Sequence, residues 1–357
     1  MSDLYPLELS ASLRPKIWGR RNLAPFYGQQ PEAIGEAWFS FEENIVVNGL
    51  LAGESLQQLM ARYGRGLLGQ EWRPLHLVRR SAGGTDEGDS ASHLYFPILS
   101  KLLFTSAKLS VQVHPNDDFA LANEGGPGKT EAWHVIDGEP GSSIALGLTE
   151  PLEGEALKRA AASGEIERLL NWIEVHPGDT YFVSPGTIHS IGPGLTLCEI
   201  QQNSDLTYRL YDFRRAGADG KPRELHLEKA AAVARCGKAP VPQPRFRLGD
   251  GPLRRELLAA CSYFAIELLH WEKEVVYEPD PSRFELLLFL GGEGRISGYN
   301  YKAGSTFLLP ASAEPFMLDT AAPSSAIRSY IPDLSALRSD LEQAGAHSGE
   351  IDRLLIK

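Results

Sequence analysis

Three short stretches of the sequence carry side chains that could hold a divalent metal ion. The first contains Gln112 and His114, the second contains Glu131, and the third contains His189. An amide oxygen, two imidazoles and a carboxylate suit borderline divalent ions such as Zn, Mn, Fe or Co. Lys129 stands two residues before Glu131, so an ammonium group and an electrophilic ion could share one pocket. These residue types predict a metal-assisted reaction.

The first stretch has the alternation of a β-strand. Side chains on a strand alternate between its two faces, so Ser110, Gln112 and His114 share one face. The valines between them point the other way, as in a barrel wall that lines a polar cavity. His134 would face away from Glu131 on a regular strand, so it is left out of the predicted cluster.

The composition indicates a globular protein rich in turns. The chain has 357 residues, of which 43% are hydrophobic and 23% are charged, so it can bury a full core in one or two domains. Its 35 glycines and 24 prolines fit a mainly β protein. The net charge of -11 argues against a nucleic-acid binder, although a few local cations could still hold an anionic substrate.

The chain shows no sign of export or of membrane insertion. Its three cysteines, Cys198, Cys236 and Cys261, do not form the pattern of a secreted disulfide framework. The first residues lack the basic start and apolar core of a signal peptide, and no apolar run reaches the length of a membrane span. We therefore expect a cytoplasmic protein with no membrane partner.

Local patterns predict two β-rich halves separated by a linker at 237–252, which is rich in proline and glycine. A polar loop is predicted at 80–92, and the tail at 333–357 is predicted to be helical. In the first half we predict strands at 37–41, 44–47, 180–183 and 196–201, helices at 54–68 and within 151–172, a polar loop at 116–128, and His189 on a turn. In the second half we predict strands at 264–270, 284–290, 295–296 and 306–309.

Longer motifs carry a family resemblance. They are Ser-Val-Gln-Val-His-Pro-Asn-Asp at 110–117, Gly-Lys-Thr-Glu-Ala-Trp at 128–133, the run from Pro177 to Gly194, and the run from Glu199 to Phe213. In this order they resemble the type I mannose-6-phosphate isomerases, which are zinc-dependent enzymes of the cupin fold. The resemblance is to the short bacterial branch; it covers about residues 5 to 235 and is weaker beyond.

The resemblance implies a mainly β fold with two cupin-like (jelly-roll) β-barrels and a helical insertion near 151–172. It implies a catalytic metal-binding domain at 1–240 and a degenerate cupin-like domain without metal at 241–357. One Zn²⁺ per chain is expected, although other divalent ions fit the same ligands. The second domain is expected to pack against the first.

The family's functional residues match positions in this sequence. The lysine of its Lys-x-Glu motif matches Lys129, its catalytic arginine matches Arg209, and an aspartate implicated in proton handling matches Asp205. Gly128 departs from the pattern, because longer relatives have histidine there. The metal ligands match Gln112, His114, Glu131 and His189.

The implied activity is aldose-ketose isomerisation, which interconverts mannose-6-phosphate and fructose-6-phosphate through a cis-enediol. The sequence leaves open which group is the base and whether Lys108, Arg14 or Lys16 meets the phosphate. The alternatives are an isomerase of another phosphosugar, an Fe-dependent cupin oxygenase and a non-catalytic sugar-binding cupin. The expected partner is a small phosphosugar, and the oligomeric state is left open between monomer and homodimer.

Overall fold

The computed structural model describes residues 4–70, 95–217, 219–236, 241–249 and 251–356. The loop predicted at 80–92 lies outside these ranges, as does part of the linker predicted at 237–252. Within the described ranges, no helix is both long enough and apolar enough to cross a membrane.

The described part of the chain forms 22 strands and eight helices. The strands of the first half are β1 (Leu7–Leu9), β2 (Ser12–Asn22), β3 (Gln29–Trp38), β4 (Ile98–Phe104), β5 (Val111–Val113), β6 (Glu131–Gly138), β7 (Ser143–Leu148), β8 (Leu170–Glu174), β9 (Thr180–Val183), β10 (His189–Ile191), β11 (Leu195–Gln202) and β12 (Tyr208–Tyr211). Those of the second half are β13 (Phe246–Leu248), β14 (Arg254–Ala260), β15 (Ala265–Trp271), β16 (Val275–Tyr277), β17 (Glu285–Gly291), β18 (Glu293–Ile296), β19 (Tyr299–Lys302), β20 (Thr306–Leu309), β21 (Phe316–Thr320) and β22 (Ser324–Tyr330). The helices are α1 (Leu56–Tyr63), α2 (Arg65–Leu68), α3 (Asp117–Glu124), α4 (Gly154–Ser163), α5 (Ile166–Leu169), α6 (Leu227–Val233), α7 (Leu334–Gln343) and α8 (Ser348–Leu354).

Each half contains the same eight-stranded barrel. Strands β4 to β11 form two sheets with the orders β4-β11-β6-β9 and β5-β10-β7-β8, which is the strand order of a jelly roll. Strands β15 to β22 repeat this order as β15-β22-β17-β20 and β16-β21-β18-β19. The prediction of a mainly β fold with two jelly-roll barrels is therefore confirmed. Helices α4 and α5 lie between β7 and β8, where the helical insertion was expected.

The larger sheets of the two barrels pack against each other. Strands β4, β11 and β15 are buried along their whole length or nearly so, because one face lines a barrel and the other meets the opposite sheet. Strand β1 also joins the halves, since it pairs with β20 at the edge of the second half's sheet. Dividing the chain at 240/241 remains a prediction. The shared apolar layer includes Leu102, Ala132 and Cys198 from the first half and Ile266, Leu286 and Ile327 from the second.

Several local predictions were wrong in detail. The strand predicted at 37–41 ends at Trp38, and the one predicted at 44–47 forms only isolated bridges. The helix predicted at 54–68 is split into α1 and α2 by Gly64, whose φ of 45° is not helical.

The polar segment at 116–128 is not only a loop, because it contains helix α3. The side chain of Asn116 accepts a hydrogen bond from the backbone N–H of Phe119 and so caps this helix. Ala120 is the one buried residue of this helix, which explains why its sequence has no apolar stripe. His189 is the first residue of β10 and does not lie on a turn.

Candidate metal centre

Three side chains of metal-ligand type meet inside the first barrel. His114 follows β5, Glu131 begins β6 and His189 begins β10, so both sheets of the barrel contribute. The Nε2 atom of His114 lies 3.7 Å from Oε2 of Glu131, and the Nε2 atom of His189 lies 3.4 Å from Oε1. The three potential ligand atoms lie within 4.8 Å of one another, and all three side chains are buried.

Backbone carbonyls orient both imidazoles toward the carboxylate. The Nδ1 atom of His114 lies 2.8 Å from the oxygen of Leu206, and Nδ1 of His189 lies 2.9 Å from the oxygen of Thr187. A proton on each Nδ1 leaves the lone pair of each Nε2 facing Glu131. Burial lowers the pKa of His114 well below its usual range and that of His189 to about 4. Both rings are therefore neutral at pH 7, the form that binds metals.

The cluster has buried polar atoms with no hydrogen-bond partner. These are Nε2 of His114 and Oε1 of Glu131, whereas Oε2 of Glu131 is paired with the ammonium group of Lys129 at 3.0 Å. Leaving such atoms unpaired is costly, so native structures rarely do so without a reason. A divalent cation would satisfy both unpaired atoms at once, and their chemistry is that of known zinc ligands. The residues present therefore fit a metal ion.

Gln112 lies beside this cluster. It stands directly opposite His189 in the pairing of β5 with β10, and its amide Nε2 is 3.1 Å from Nε2 of His189. The nitrogen and oxygen of an amide exchange places when the group rotates by half a turn. Oε1 of Gln112 can therefore take the position facing the cluster.

Lys129 brings a positive charge against the carboxylate. Its Nζ lies 3.0 Å from Oε2 of Glu131, and only 4% of its side chain is exposed. Burial alone would lower the pKa of Lys129, but the carboxylates of Glu131, Glu199 and Asp205 raise it overall. Burial has the opposite effect on the carboxylate and raises the pKa of Glu131 to about 7, although Lys129 opposes this shift.

A second buried ion pair adjoins the cluster, and sequence patterns did not reveal it. Lys101 on β4 lies directly opposite Glu199 on β11, with Nζ 3.1 Å from Oε1. Lys101 also donates to Oε1 of Gln201 at 2.7 Å, and Trp133 donates to Oε2 of Glu199 at 3.0 Å. Burial would raise the pKa of Glu199, but Lys101 and Lys129 lower it to about 2. The available signal was a lysine inside the otherwise uncharged strand Ile98–Phe104.

Arg209 borders the cluster, whereas Asp205 lies at the surface. Arg209 is on β12 directly opposite Gln112, and cross-strand partners project from the same face of a sheet. Its Nη1 donates to the backbone oxygen of Glu224 at 2.9 Å, and its Nε is buried without a hydrogen-bond partner. Asp205 is exposed but contributes to the raised pKa of Lys129.

Gly128 leaves no room for a side chain next to Lys129. A Cβ atom added there would lie 2.5 Å from the backbone carbonyl carbon of Asn116. The backbone N–H of Gly128 donates to Oδ1 of Asp117 at 2.7 Å, and the N–H of Lys129 donates to the oxygen of Pro115 at 3.0 Å. These contacts hold the Lys-Thr-Glu segment against the end of β5, so the absent histidine has no space here.

Comparison with known proteins identifies close relatives over most of the chain, although no family model matches it. The chain is 36% identical over 324 residues to mannose-6-phosphate isomerase ManA of Bacillus subtilis (strain 168), covering 88% of this chain and 96% of that protein. It is 34% identical over 325 residues to mannose-6-phosphate isomerase of Streptococcus mutans, covering 88% and 95% of the two chains.

Solved structures agree with these relatives. The crystal structure of mannose 6-phosphate isomerase from Bacillus subtilis matches with a TM-score of 0.77 at 30% identity, covering 91% of this chain and 99% of that one. A variant of phosphomannose isomerase from Salmonella typhimurium shares the fold, with a TM-score of 0.63 at 16% identity over 92% of this chain and 100% of that one.

The two jelly-roll barrels and the buried His-Glu-His cluster define a cupin with a candidate metal site. Within that class, the chain belongs to the mannose-6-phosphate isomerase family.

Proposed function

We propose that the chain is a metal-dependent aldose-ketose isomerase that interconverts mannose-6-phosphate and fructose-6-phosphate through a cis-enediol. One observation carries the proposal: in a chain of this family, two neutral imidazoles and a carboxylate with one unpaired oxygen converge inside the first barrel, beside a buried lysine. Moving a proton between C1 and C2 requires ring opening, proton transfer and stabilisation of negative charge on oxygen.

We assign the metal site to one Zn²⁺ per chain, held by Gln112, His114, Glu131 and His189. The donor set supports this assignment, because nitrogen and oxygen ligands of this kind suit zinc. When bound, such an ion would supply positive charge that polarises the sugar carbonyl.

We assign Arg209 to the negative charge that develops on the enediolate. Its position opposite Gln112 and its unpartnered Nε support this role. Lys129 is assigned to hold and protonate a sugar oxygen, since its ammonium group is buried against the cluster. Asp205, exposed near Lys129, is assigned to proton exchange between the site and water.

Arg14 is our choice for the phosphate among the three candidate cations. Lys16 is paired with Glu36 at 3.1 Å and Lys108 with Glu167 at 3.1 Å, whereas Arg14 has a buried Nε without a hydrogen-bond partner. Its guanidinium stacks on Trp38 at 3.9 Å from the ring centre, and Nζ of Lys101 lies 4.5 Å from the same centre. Arg14 is thus connected to the buried site through one aromatic ring.

The phosphate assignment is tested by replacing Arg14 with methionine, which keeps the stacked length but removes the charge. We expect KM for mannose-6-phosphate to rise about tenfold or more, because a charged hydrogen bond to phosphate is lost. Lys108→Met is the control and should leave KM within about twofold. Equal KM values for the Arg14 variant and the wild type would remove Arg14 from substrate binding.

The reaction is tested with a coupled assay that follows fructose-6-phosphate formation from mannose-6-phosphate. Activity should disappear on chelation and return with zinc. His114→Ala should lose bound metal, whereas His134→Asn, which changes a buried histidine outside the cluster, should keep it. Full metal retention by the His114 variant would break the ligand assignment.

A metal-loaded protein that is inactive on mannose-6-phosphate would favour an isomerase of another phosphosugar, because small pocket changes alter sugar specificity by modest energies. Thermal stabilisation by a panel of sugar phosphates would then find the substrate. We also propose a cytoplasmic location and a monomer or homodimer, which fractionation and light scattering test directly.

A further inference from the structure

The two barrels can be compared position by position, because their eight strands follow the same order. In each barrel the third strand begins with a glutamate, Glu131 on β6 and Glu285 on β17. A basic residue precedes each glutamate by two positions, namely Lys129 and Arg283. The second barrel therefore keeps the basic-x-Glu pattern of the metal centre.

The buried ion pair beside the metal centre also has a counterpart. In the first barrel, Lys101 on the first strand lies opposite Glu199 on the eighth strand. Glu199 in turn lies opposite Trp133, which follows Glu131 by two positions on the third strand. In the second barrel the same register places Glu267 opposite Arg328. Arg328 in turn lies opposite Leu287, which follows Glu285 by two positions. The pair is retained, but its charges are exchanged.

The neighbouring hydrogen bond is exchanged in the same sense. Two residues after Glu199, Gln201 accepts a hydrogen bond from Lys101 at 2.7 Å. Two residues after Arg328, Tyr330 instead donates to Oε1 of Glu267 at 2.6 Å. On the first strand the donor Lys101 is replaced by the acceptor Glu267. On the eighth strand the acceptor Gln201 is replaced by the donor Tyr330. This agreement supports the alignment of the two barrels independently of the charges.

The positions of the metal ligands are filled differently in the second barrel. Gln112 pairs with His189 across the second and seventh strands, and the corresponding strands pair Tyr277 with Phe316. The phenol of Tyr277 donates to Oε2 of Glu285 at 2.6 Å, so one oxygen of this glutamate is already bonded. A phenyl ring takes the place of the imidazole, and it cannot bind a metal ion.

A guanidinium lies where these buried carboxylates need positive charge. Arg328 is 6% exposed; its Nη2 donates to Oε2 of Glu267 at 2.6 Å and its Nη1 to Oε1 of Glu285 at 3.2 Å. We infer that Arg328 is the built-in cation of the second barrel, where it does for Glu267 and Glu285 what a metal ion would do for Glu131. The second barrel thus keeps the glutamate of the metal centre, exchanges the charges of the neighbouring ion pair, and supplies its own cation without a metal.

Electrostatics support this arrangement. Burial would raise the pKa of Glu267, but Arg328 and then Arg255 hold it well below its ordinary range. Glu285 lies at the same strand position as Glu131, and both of its oxygens accept hydrogen bonds, whereas Oε1 of Glu131 accepts none. The inference concerns the second barrel alone and does not depend on the proposed reaction.

The first test compares the two equivalent glutamates in the full-length protein, loaded with zinc and measured by elemental analysis. The wild type should hold one ion per chain, Glu131→Gln should lose most of it, and Glu285→Gln should keep it. A wild type with two ions, one of which is lost in Glu285→Gln, would overturn the inference. The readout is metal content, so it does not rely on turnover.

The second test asks whether the charge of Arg328 matters more than its shape. Arg328→Lys should melt close to the wild-type temperature. Arg328→Met, whose side chain has a similar length but no charge, should melt at a clearly lower temperature. If the methionine variant does not fold, Arg328→Ala is refolded with millimolar ethylguanidinium chloride or with sodium chloride of equal ionic strength. Equal stability of the lysine and methionine variants, or equal recovery in both salts, would overturn the inference.

Discussion

Arg209 is the residue that we assign to the negative charge that develops at the sugar. It faces the same side of its sheet as Gln112, and its Nε has no partner, so it can reorganise toward a substrate. Arg209→Ala should lower kcat about 10²- to 10³-fold, as the loss of one preorganised donor does in other enzymes. Bound metal, measured in parallel, should not change.

The control is Arg254→Ala, which removes an exposed arginine from β14 in the second half. Its kcat should match the wild type. Unchanged turnover in the Arg209 variant would remove this residue from the mechanism.

His134 makes folding sensitive to pH although it lies outside the metal cluster. Burial, with smaller contributions from Arg245 and His270, lowers its pKa from 6.5 to about 3. The folded protein favours the neutral ring, so this contribution to stability is fully present above pH 6.5 and is lost as the pH falls toward 3. The loss is at most about 1.4 kcal/mol per pH unit.

His134→Asn should therefore flatten the dependence of the unfolding free energy on pH between 6 and 4, as measured by urea denaturation at several pH values. The asparagine keeps a polar group near Oγ1 of Thr180, which lies 2.9 Å from the histidine Nδ1 in the wild type. An unchanged slope would show that this ring does not titrate with folding.

At the residue scale, sequence patterns located the four candidate ligands, and the structure brings their side chains together. Their role as ligands remains a prediction. Lys101 and Glu199 were missed for a physical reason: they are 98 positions apart in sequence, and only strand pairing places them opposite each other. A single charged residue in a strand does not reveal its partner.

At the scale of elements, the loop that carries Lys129 is positioned by backbone contacts that only glycine permits. Gly128→Ala would place Cβ 2.5 Å from the backbone of Asn116, so the loop must shift and carry Lys129 away from Glu131. We expect a loss of roughly 1–3 kcal/mol in stability from the crowding, together with a lower kcat. Thermal melts and the coupled assay measure both.

Gly126→Ala is the matched control, because an added Cβ there meets no atom within 4 Å. It should resemble the wild type in both measurements. A Gly128 variant with normal activity would show that Lys129 tolerates displacement.

Regular periodicity was the reliable guide to elements. The strand predicted at 180–183 is confirmed as β9, and the helical tail is confirmed as α7 and α8. Helix α3 was missed because it depends on a side-chain cap from Asn116 and buries only Ala120, so its sequence has no apolar stripe. The strand predicted at 44–47 failed because its backbone pairs only at single bridges.

At the scale of the molecule, packing between the barrels could not be predicted in detail from the sequence. The outward faces of both large sheets are apolar, which sequence shows, but which sheets meet depends on tertiary geometry. Strand β1 illustrates the limit, since it crosses to pair with β20 about 300 residues later. The shared layer implies that neither barrel keeps its large sheet covered without the other.

This dependence predicts one cooperative unfolding transition, with stability set partly by the shared layer. Leu286 on β17 lies in this layer and is 1% exposed. Leu286→Ala should therefore lower the free energy of unfolding by about 2–5 kcal/mol and lower the melting temperature. Although the substitution is in the second barrel, activity, which we assign to the first, should be lost at the same lowered temperature. Calorimetry and residual activity after heating measure the two effects.

Leu50→Ala is the control, because that leucine is 91% exposed. Two separate heat-absorption peaks, with activity surviving the first, would show instead that the barrels unfold independently.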